Sequence, residues 1–247
     1  MNELALFSGA GGGLLASRLL GWTTVCAVEI EQYPRDRVLQ RQDEGHLDTF
    51  PIWDDIRTFD GRLWRGAIDV ISGGFPCQDI SAAGKGAGIT GERSGLWKEY
   101  ARIIGEVGPQ FVFAENSPLL RTRGLGVVIE DLDRMGYDVR WGVLGAGHLG
   151  AIHKRSRLWL VAHSDSERFE KQDVPSIASH EAARQTRDAH QLVAGDWLCK
   201  SGSVRQPGRV GLPDDVAGGL VRIRAAGNGQ VPLVAATAWS ILSEGLL

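Results

Sequence analysis

A chain of 247 residues, 43% hydrophobic and 23% charged, carries enough apolar side chain for one large domain with a core. No apolar run reaches membrane-spanning length and the N-terminus lacks the basic and apolar regions of a secretory signal, so no membrane association is expected. The formal net charge of -3 lacks the overall basic character of many phosphate-gripping proteins, although an enzyme can gather its cations in one cleft. Cys26, Cys77 and Cys199 have no paired spacing, which argues against a disulfide framework or a zinc site; a reducing, cytoplasmic setting without metal is expected.

Leu4 to Phe7 reads as a first strand. It enters the turn Ser8-Gly9-Ala10-Gly11-Gly12-Gly13, and Leu14 to Leu20 then has helical spacing. Strand, glycine turn and helix bring bare backbone N–H groups and a helix N-terminus to one point, where a nucleotide-like cofactor can be met. Thr24 to Glu29 reads as a second strand ending in an acid. Glu29 lies twenty residues after Gly9, where a carboxylate can take both hydroxyls of a ribose; a solvated strand end is the plainer reading. The dinucleotide fingerprint needs a glycine at position 14, so Leu14 counts against NAD and leaves other adenosine cofactors open.

Tyr33 to Gln42 reads as a second helix, and residues 46–55 as a loop with a short strand that closes on Asp54-Asp55-Ile56. Next comes an apolar run from Ile68 that ends in Gly73-Gly74-Phe75-Pro76-Cys77-Gln78. A parallel strand delivers its succeeding residues to the carboxyl edge of the sheet, so Cys77 stands where a nucleophile would. The alternative is a small buried apolar residue, the usual fate of a free cysteine. Residues 78–95 hold five glycines and little apolar content, which reads as a mobile loop placed to serve as a lid.

Leu96 to Val107 has helical spacing, and Gln110 to Ala114 is again an apolar strand. Glu115 and Asn116 come directly after it, before the turn residue Pro118. A carboxylate at that depth is costly unless paired or protonated, which points to function. Gly126 to Met135 reads as a helix and Tyr137 to Leu144 as a strand. From Ala151 to Ala162 a further strand carries Arg155 and Arg157, which on a strand project from one face. Such a pair suits an anionic or carbonyl-bearing ligand, and a solvated edge strand would show the same alternation. Residues 163–209 turn polar and read as a small insert. Beyond the insert, Asp214 to Ile223 reads as helical, Gly227 to Pro232 as a turn and Leu233 to Leu242 as a closing amphipathic helix. The chain thus divides into a catalytic and cofactor-binding part (1–162), an insert (163–209) and a returning segment (210–247).

In that order the motifs resemble those of the DNA cytosine-5 methyltransferases, from Leu4 to the last helix. Phe7-Ser8-Gly9-Ala10-Gly11-Gly12 resembles the family's S-adenosylmethionine turn, Glu29 its ribose-binding acid, and Asp55-Ile56 the segment that holds the adenine. Gly73 to Gln78 is similar to the nucleophile motif, Glu115-Asn116 to the acid motif, and Arg155-Ser156-Arg157 to the paired-arginine motif. Gly227-Asn228 with Val231-Pro232 resembles the last motif. The resemblance implies a Rossmann-like α/β fold, a mostly parallel seven-stranded sheet with helices on both faces and a small recognition insert. It implies S-adenosyl-L-methionine as cofactor, held by Phe7, Ser8, Gly9, Ala10, Gly11, Gly12, Glu29, Ile30, Asp55, Ile56, Pro76, Asn228 and Gly229. The implied partner is double-stranded DNA, with a monomer favoured.

The same resemblance implies that Cys77 attacks carbon 6 of cytosine, that Glu115 holds the N3 and exocyclic amine edge, and that Arg157 with Arg155 grips the O2 carbonyl. The target base must leave its stack to be reached, and Pro76, Gln78, Ser81, Lys85 and Asn116 are the expected contacts around it. Two departures stand out. His153 occupies a position where the family usually has glutamine, and about 45 residues form an insert that is short for a target recognition region. Short or relaxed target sequences are the expected consequence. Rival readings are a tRNA cytosine-5 methyltransferase, whose extra Cys-Phe-Thr motif is missing here, and a binding protein without turnover.

Overall fold

The computed structural model of the chain describes residues 1–76, 96–164 and 229–247. Cys77, the glycine-rich stretch after it with Gln78, Ser81 and Lys85, the insert from residue 165 onward, the expected helix at 214–223 and Asn228 lie outside those residues. Seven strands form one sheet: β1 (Asn2–Leu6), β2 (Thr23–Val28), β3 (Ile52–Trp53), β4 (Val70–Gly74), β5 (Phe111–Asn116), β6 (Asp138–Gly145) and β7 (Ser156–His163). Their order is β3-β2-β1-β4-β5-β7-β6. β1 to β5 are parallel, and β7 runs antiparallel to both of its neighbours. Among the described residues the helices are α1 (Gly12–Leu19), α2 (Gln32–Asp43), α3 (Leu96–Val107), α4 (Leu120–Arg123), α5 (Leu125–Arg134) and α6 (Pro232–Leu242). None of them is long and apolar enough to cross a membrane.

The strands read as near-continuous apolar runs because both faces of the sheet are covered. Side chains alternate between two cores as the pleat requires. Leu4, Leu6, Ile71, Val112, Ala114, Leu158 and Leu160 face α3 and α5, where they meet Trp97, Tyr100, Ile104, Val128 and Leu132. Val70, Phe111, Phe113, Trp159 and Val161 face the other way, onto Ala235, Ala238 and Trp239 of α6. Chain order reverses beside β1, whose neighbours are β2 on one side and β4 on the other. Crossovers leave in opposite directions there, so a crevice opens at the carboxyl ends of β1 and β4. The glycine turn comes after β1, and the segment leading to Cys77 comes after β4.

One buried carboxyl ties this centre together. Glu3, fully buried on β1, accepts hydrogen bonds from Ser17 of α1 (2.6 Å), Thr24 of β2 (2.7 Å) and Ser72 of β4 (2.5 Å). Burial pushes its pKa up against those three donors.

The sequence reading of α6 as amphipathic needs correction. Val234 to Trp239 are all buried, and Ser240 is the exposed residue of its middle turns. Ala235, Ala236 and Ala238 are small enough for α6 to lie close against both the sheet and α1, so a helix without a large polar face fits there. Trp22 and Trp239 close the far end edge to face, with ring centroids 4.6 Å apart. Just before α6 the chain passes against α1 at Gly12, where a Cβ would overlap the main-chain carbonyl of Gln230. Gly12→Ala is expected to cost about 1–3 kcal/mol through that overlap. Chemical denaturation would show it, and a parental midpoint would contradict the packing described.

Candidate active site

The glycine turn is built by a chain reversal that begins at a non-glycine residue. Phe7 has φ 53° and Gly9 and Gly11 have φ 53° and 88°, all in the left-handed region. Phe7 and Arg155 are the two non-glycine residues with positive φ among those described, and both belong to the expected site. A side chain held there costs on the order of 1–3 kcal/mol and persists where its surroundings fix it. Here the fixing groups come from the β2–α2 side. Ser8 N–H donates to Val28 O (3.1 Å) and Gly9 N–H to Glu29 Oε2 (2.7 Å), while the Arg41 guanidinium donates to Ala10 O. Arg35 Nη1 holds the next turn through Glu29 O (3.1 Å) and Ile30 O (2.9 Å).

Glu29 is therefore no solvated strand end. It is buried, its second oxygen accepts the Glu31 N–H (2.8 Å), and burial raises its pKa. Ile30 beside it is exposed, an apolar surface next to the acid. Ser8 Oγ, in the wall of the cleft, is buried without a hydrogen-bond partner among the described residues. An unmet hydroxyl, a turn stripped of side chains by its glycines and an acid with an apolar neighbour fit a cofactor that carries an amino acid, a ribose and an adenine. The fit is poorer at Asp55 and Ile56. The Asp55 carboxylate is taken by Arg57 (2.6 Å), which holds it below the usual carboxylate range, and Ile56 packs its side chain into the core.

Across the crevice, Glu115 of β5 lies in register with Gly74 of β4. A Cβ at Gly74 would stand 2.5 Å from Glu115 Oε2, so any larger residue there would displace the carboxyl. Arg157 Nε meets Glu115 Oε1 at 2.8 Å from the neighbouring β7. Burial nevertheless dominates and pushes the Glu115 carboxyl up to about 7, against the opposing pull of Arg157, Arg155 and the Gln230 amide.

Arg155 departs from the expected arrangement. It precedes β7 in a left-handed turn at φ 32°, so it does not share a strand face with Arg157; its guanidinium donates to Gly229 O. Asn116, expected against the substrate, is buried and turned into the protein. Its Nδ2 donates to Phe75 O (3.1 Å) and its Oδ1 accepts the Ser117 N–H (2.7 Å). It thereby anchors the main chain two residues before Cys77. Pro76 ends the described part of that segment.

The raised Glu115 pKa has a consequence for stability. The neutral carboxyl is the form the fold prefers, so its stabilising contribution is full below the ordinary carboxylate range and is lost as pH rises to about 7. Glu115→Gln, neutral throughout, should lose less stability than the parent between about pH 5 and about pH 8. Denaturant midpoints across that window check this; equal slopes in the two proteins would contradict it.

A sequence model described as C-5 cytosine-specific DNA methylase matches residues 1–201. The chain belongs to that family. Relatives include the type II methyltransferase M.CviJI of Paramecium bursaria Chlorella virus IL3A, 33% identical over 65% of this methylase chain and 42% of its own length. Type II methyltransferase M.Eco47II of Escherichia coli is 32% identical over 64% and 38%, and M.NgoBI of Neisseria gonorrhoeae 33% over 68% and 52%. The chain thus spans about half or less of the length of these relatives. Among solved structures, the S. pombe Dnmt2 methyltransferase shares the fold at a TM-score of 0.55 and 21% identity, over 70% of this chain and 54% of that one. A prophage-encoded E. coli DNA modification methyltransferase gives 0.55 at 24% identity, over 70% and 49%. The Rossmann-like, mostly parallel seven-stranded sheet expected of the family is the one observed.

Three residues of the site escape a reading of the sequence. Arg41 shares the buried face of α2 with Pro34 and Val38, so a cation on an apolar stripe is the available signal. Arg35 gives no such signal. Gln230, inside the returning turn, reaches both the glycine turn and Glu115.

Proposed function

We propose that this methylase-family chain is a DNA (cytosine-5-)-methyltransferase, transferring a methyl group from S-adenosyl-L-methionine to carbon 5 of cytosine in double-stranded DNA. The observation that carries the reading is Glu115, a buried carboxyl poised near neutrality by burial and Arg157, at the switch-point crevice beside the glycine turn. Cytosine carbon 5 is a poor nucleophile. Addition of the Cys77 thiolate to carbon 6 breaks the 5,6 double bond and moves its electron pair onto carbon 5, with charge building toward N3 and O2. Glu115 meets the N3 and amine edge and keeps a proton at N3 as that charge grows. Arg157 fixes the Glu115 carboxyl and presents its guanidinium toward O2. Arg155, which donates to Gly229 O, assists Arg157 at the O2 carbonyl.

Glu29 and the N–H groups of the glycine turn orient the cofactor, which supplies an electrophilic sulfonium methyl when bound. Loss of the carbon 5 proton with elimination of Cys77 then restores the thiol and leaves 5-methylcytosine. A stacked base is out of reach of these groups, so the target nucleotide is flipped out of the duplex. The abbreviated insert at 163–209 supports short or relaxed target sequences. A cytoplasmic, monomeric enzyme completes the reading.

Incubation of the purified chain with methyl-labelled cofactor, duplex DNA and tRNA tests the proposal. Label in 5-methylcytosine of DNA is expected; label confined to RNA, or none, would overturn it. Bisulfite sequencing of DNA from expressing cells reads the context at once, and a long defined site would contradict relaxed specificity.

A further inference from the structure

We propose that Gln230 is the positioning residue for Glu115, its carboxamide joining the acid to the glycine turn so that the acid's placement depends on the returning C-terminal segment. The inference rests on the reading of Glu115 as the acid of methyl transfer. Gln230 stands just before α6, and its two ends address the two halves of the crevice. The amide nitrogen donates to the Glu115 carboxyl and lies 3.4 Å from where a Gly74 Cβ would be. The amide oxygen lies over α1, 2.8 Å from where a Gly13 Cβ would be. The main-chain carbonyl of Gln230 rests against Gly12, and the carbonyl before it, of Gly229, takes the Arg155 guanidinium.

Each of these contacts needs a glycine or a charged partner opposite, so the segment is keyed to its place from several sides. Gln230 lines the same cleft as Ser8, Ser72 and Glu115. Among the described residues, the groups that face Glu115 are Arg157 and Arg155 from the β7 side, the Gln230 amide, and uncharged Gly74 from β4. Arg157 engages one carboxyl oxygen, and a neutral donor from a second direction fixes the plane of the group without adding a charge. An amide N–H can donate only, so it favours the ionised acid and opposes the effect of burial.

Gln230→Met and Gln230→Leu remove the donor at similar size. The decisive readout is the titration of Glu115 in protein labelled with carboxyl-13C glutamate, its resonance assigned through Glu115→Gln. Both variants should titrate at least about half a unit higher than the parent, and kcat should fall about tenfold while the KM for cofactor moves less than about threefold. A midpoint that stays put in folded variants overturns the proposal, including when activity is lost, since that pattern belongs to packing alone. Should both variants fail to fold, Gln230→Asn, which withdraws the amide by one methylene, carries the same expected rise. The titration decides the role of Gln230 even if the parent transfers no methyl group, an outcome that would overturn only the functional reading.

Discussion

Cys77→Ala is expected to lower kcat for methyl transfer by about 10⁴-fold or more while leaving the fold and cofactor affinity intact. The size comes from the chemistry. Without a bond to carbon 6, carbon 5 keeps its aromatic electron distribution, and neither Glu115 nor Arg157 can make it attack a methyl group. Positioning by the remaining groups brings reactants together but supplies no nucleophile. The segment leading to it is held ahead of residue 77: the strand ends at Gly74, and Asn116 fixes the main chain at Phe75. Transfer of labelled methyl groups, with cofactor affinity as the control, reads the effect. Activity within about tenfold of the parent would mean that Cys77 is not the nucleophile.

Glu115→Gln is expected to lower kcat by about 10²–10³-fold. Glutamine keeps the shape and can still hydrogen-bond the amine edge of cytosine, but it cannot keep a proton on N3 as charge builds. It also breaks the 2.8 Å pairing with Arg157, so the guanidinium loses the group that orients it. The pH dependence separates this from simple misplacement. With the Glu115 carboxyl pushed up to about 7, the parent's rate should fall as pH rises through that value, because the neutral acid is the working form. The residual rate of the variant should lack that limb. A parent profile flat through neutrality, or a variant that retains the limb, would assign the ionisation to another group.

The parts of this fold that can be read in the sequence are those whose information is local. The helix ending at Val107 is legible, because its apolar stripe repeats at helical spacing and the turn beyond it is unambiguous. Glu115 stands out because an acid directly after four apolar residues has to be explained wherever the strand ends up. The misreadings share a different cause. A polar face is expected of α6, whereas its alanines lie close against both the sheet and α1.

Alternation with Arg157 places Arg155 on a strand, yet the strand begins one residue later and Arg155 turns into a left-handed conformation to reach Gly229, 74 positions on. Gln230 bonds a residue over a hundred positions earlier in the chain, and nothing in its neighbours announces it. Glu3 lies just outside the run from Leu4 to Phe7 that reads as the first strand. Its three hydroxyl partners come from α1, β2 and β4, so its burial emerges only once those elements assemble.

The most direct test of the account is a covalent trap. DNA carrying 5-fluorocytosine has fluorine where a proton must leave carbon 5, so once Cys77 has added and the methyl group has arrived, elimination is blocked. Incubation with S-adenosyl-L-methionine followed by proteolysis and tandem mass spectrometry should find the methylated nucleotide on the Cys77 sulfur, dependent on cofactor and lost in Cys77→Ala. No adduct in a chain that methylates DNA, or an adduct on another residue, would contradict the mechanism.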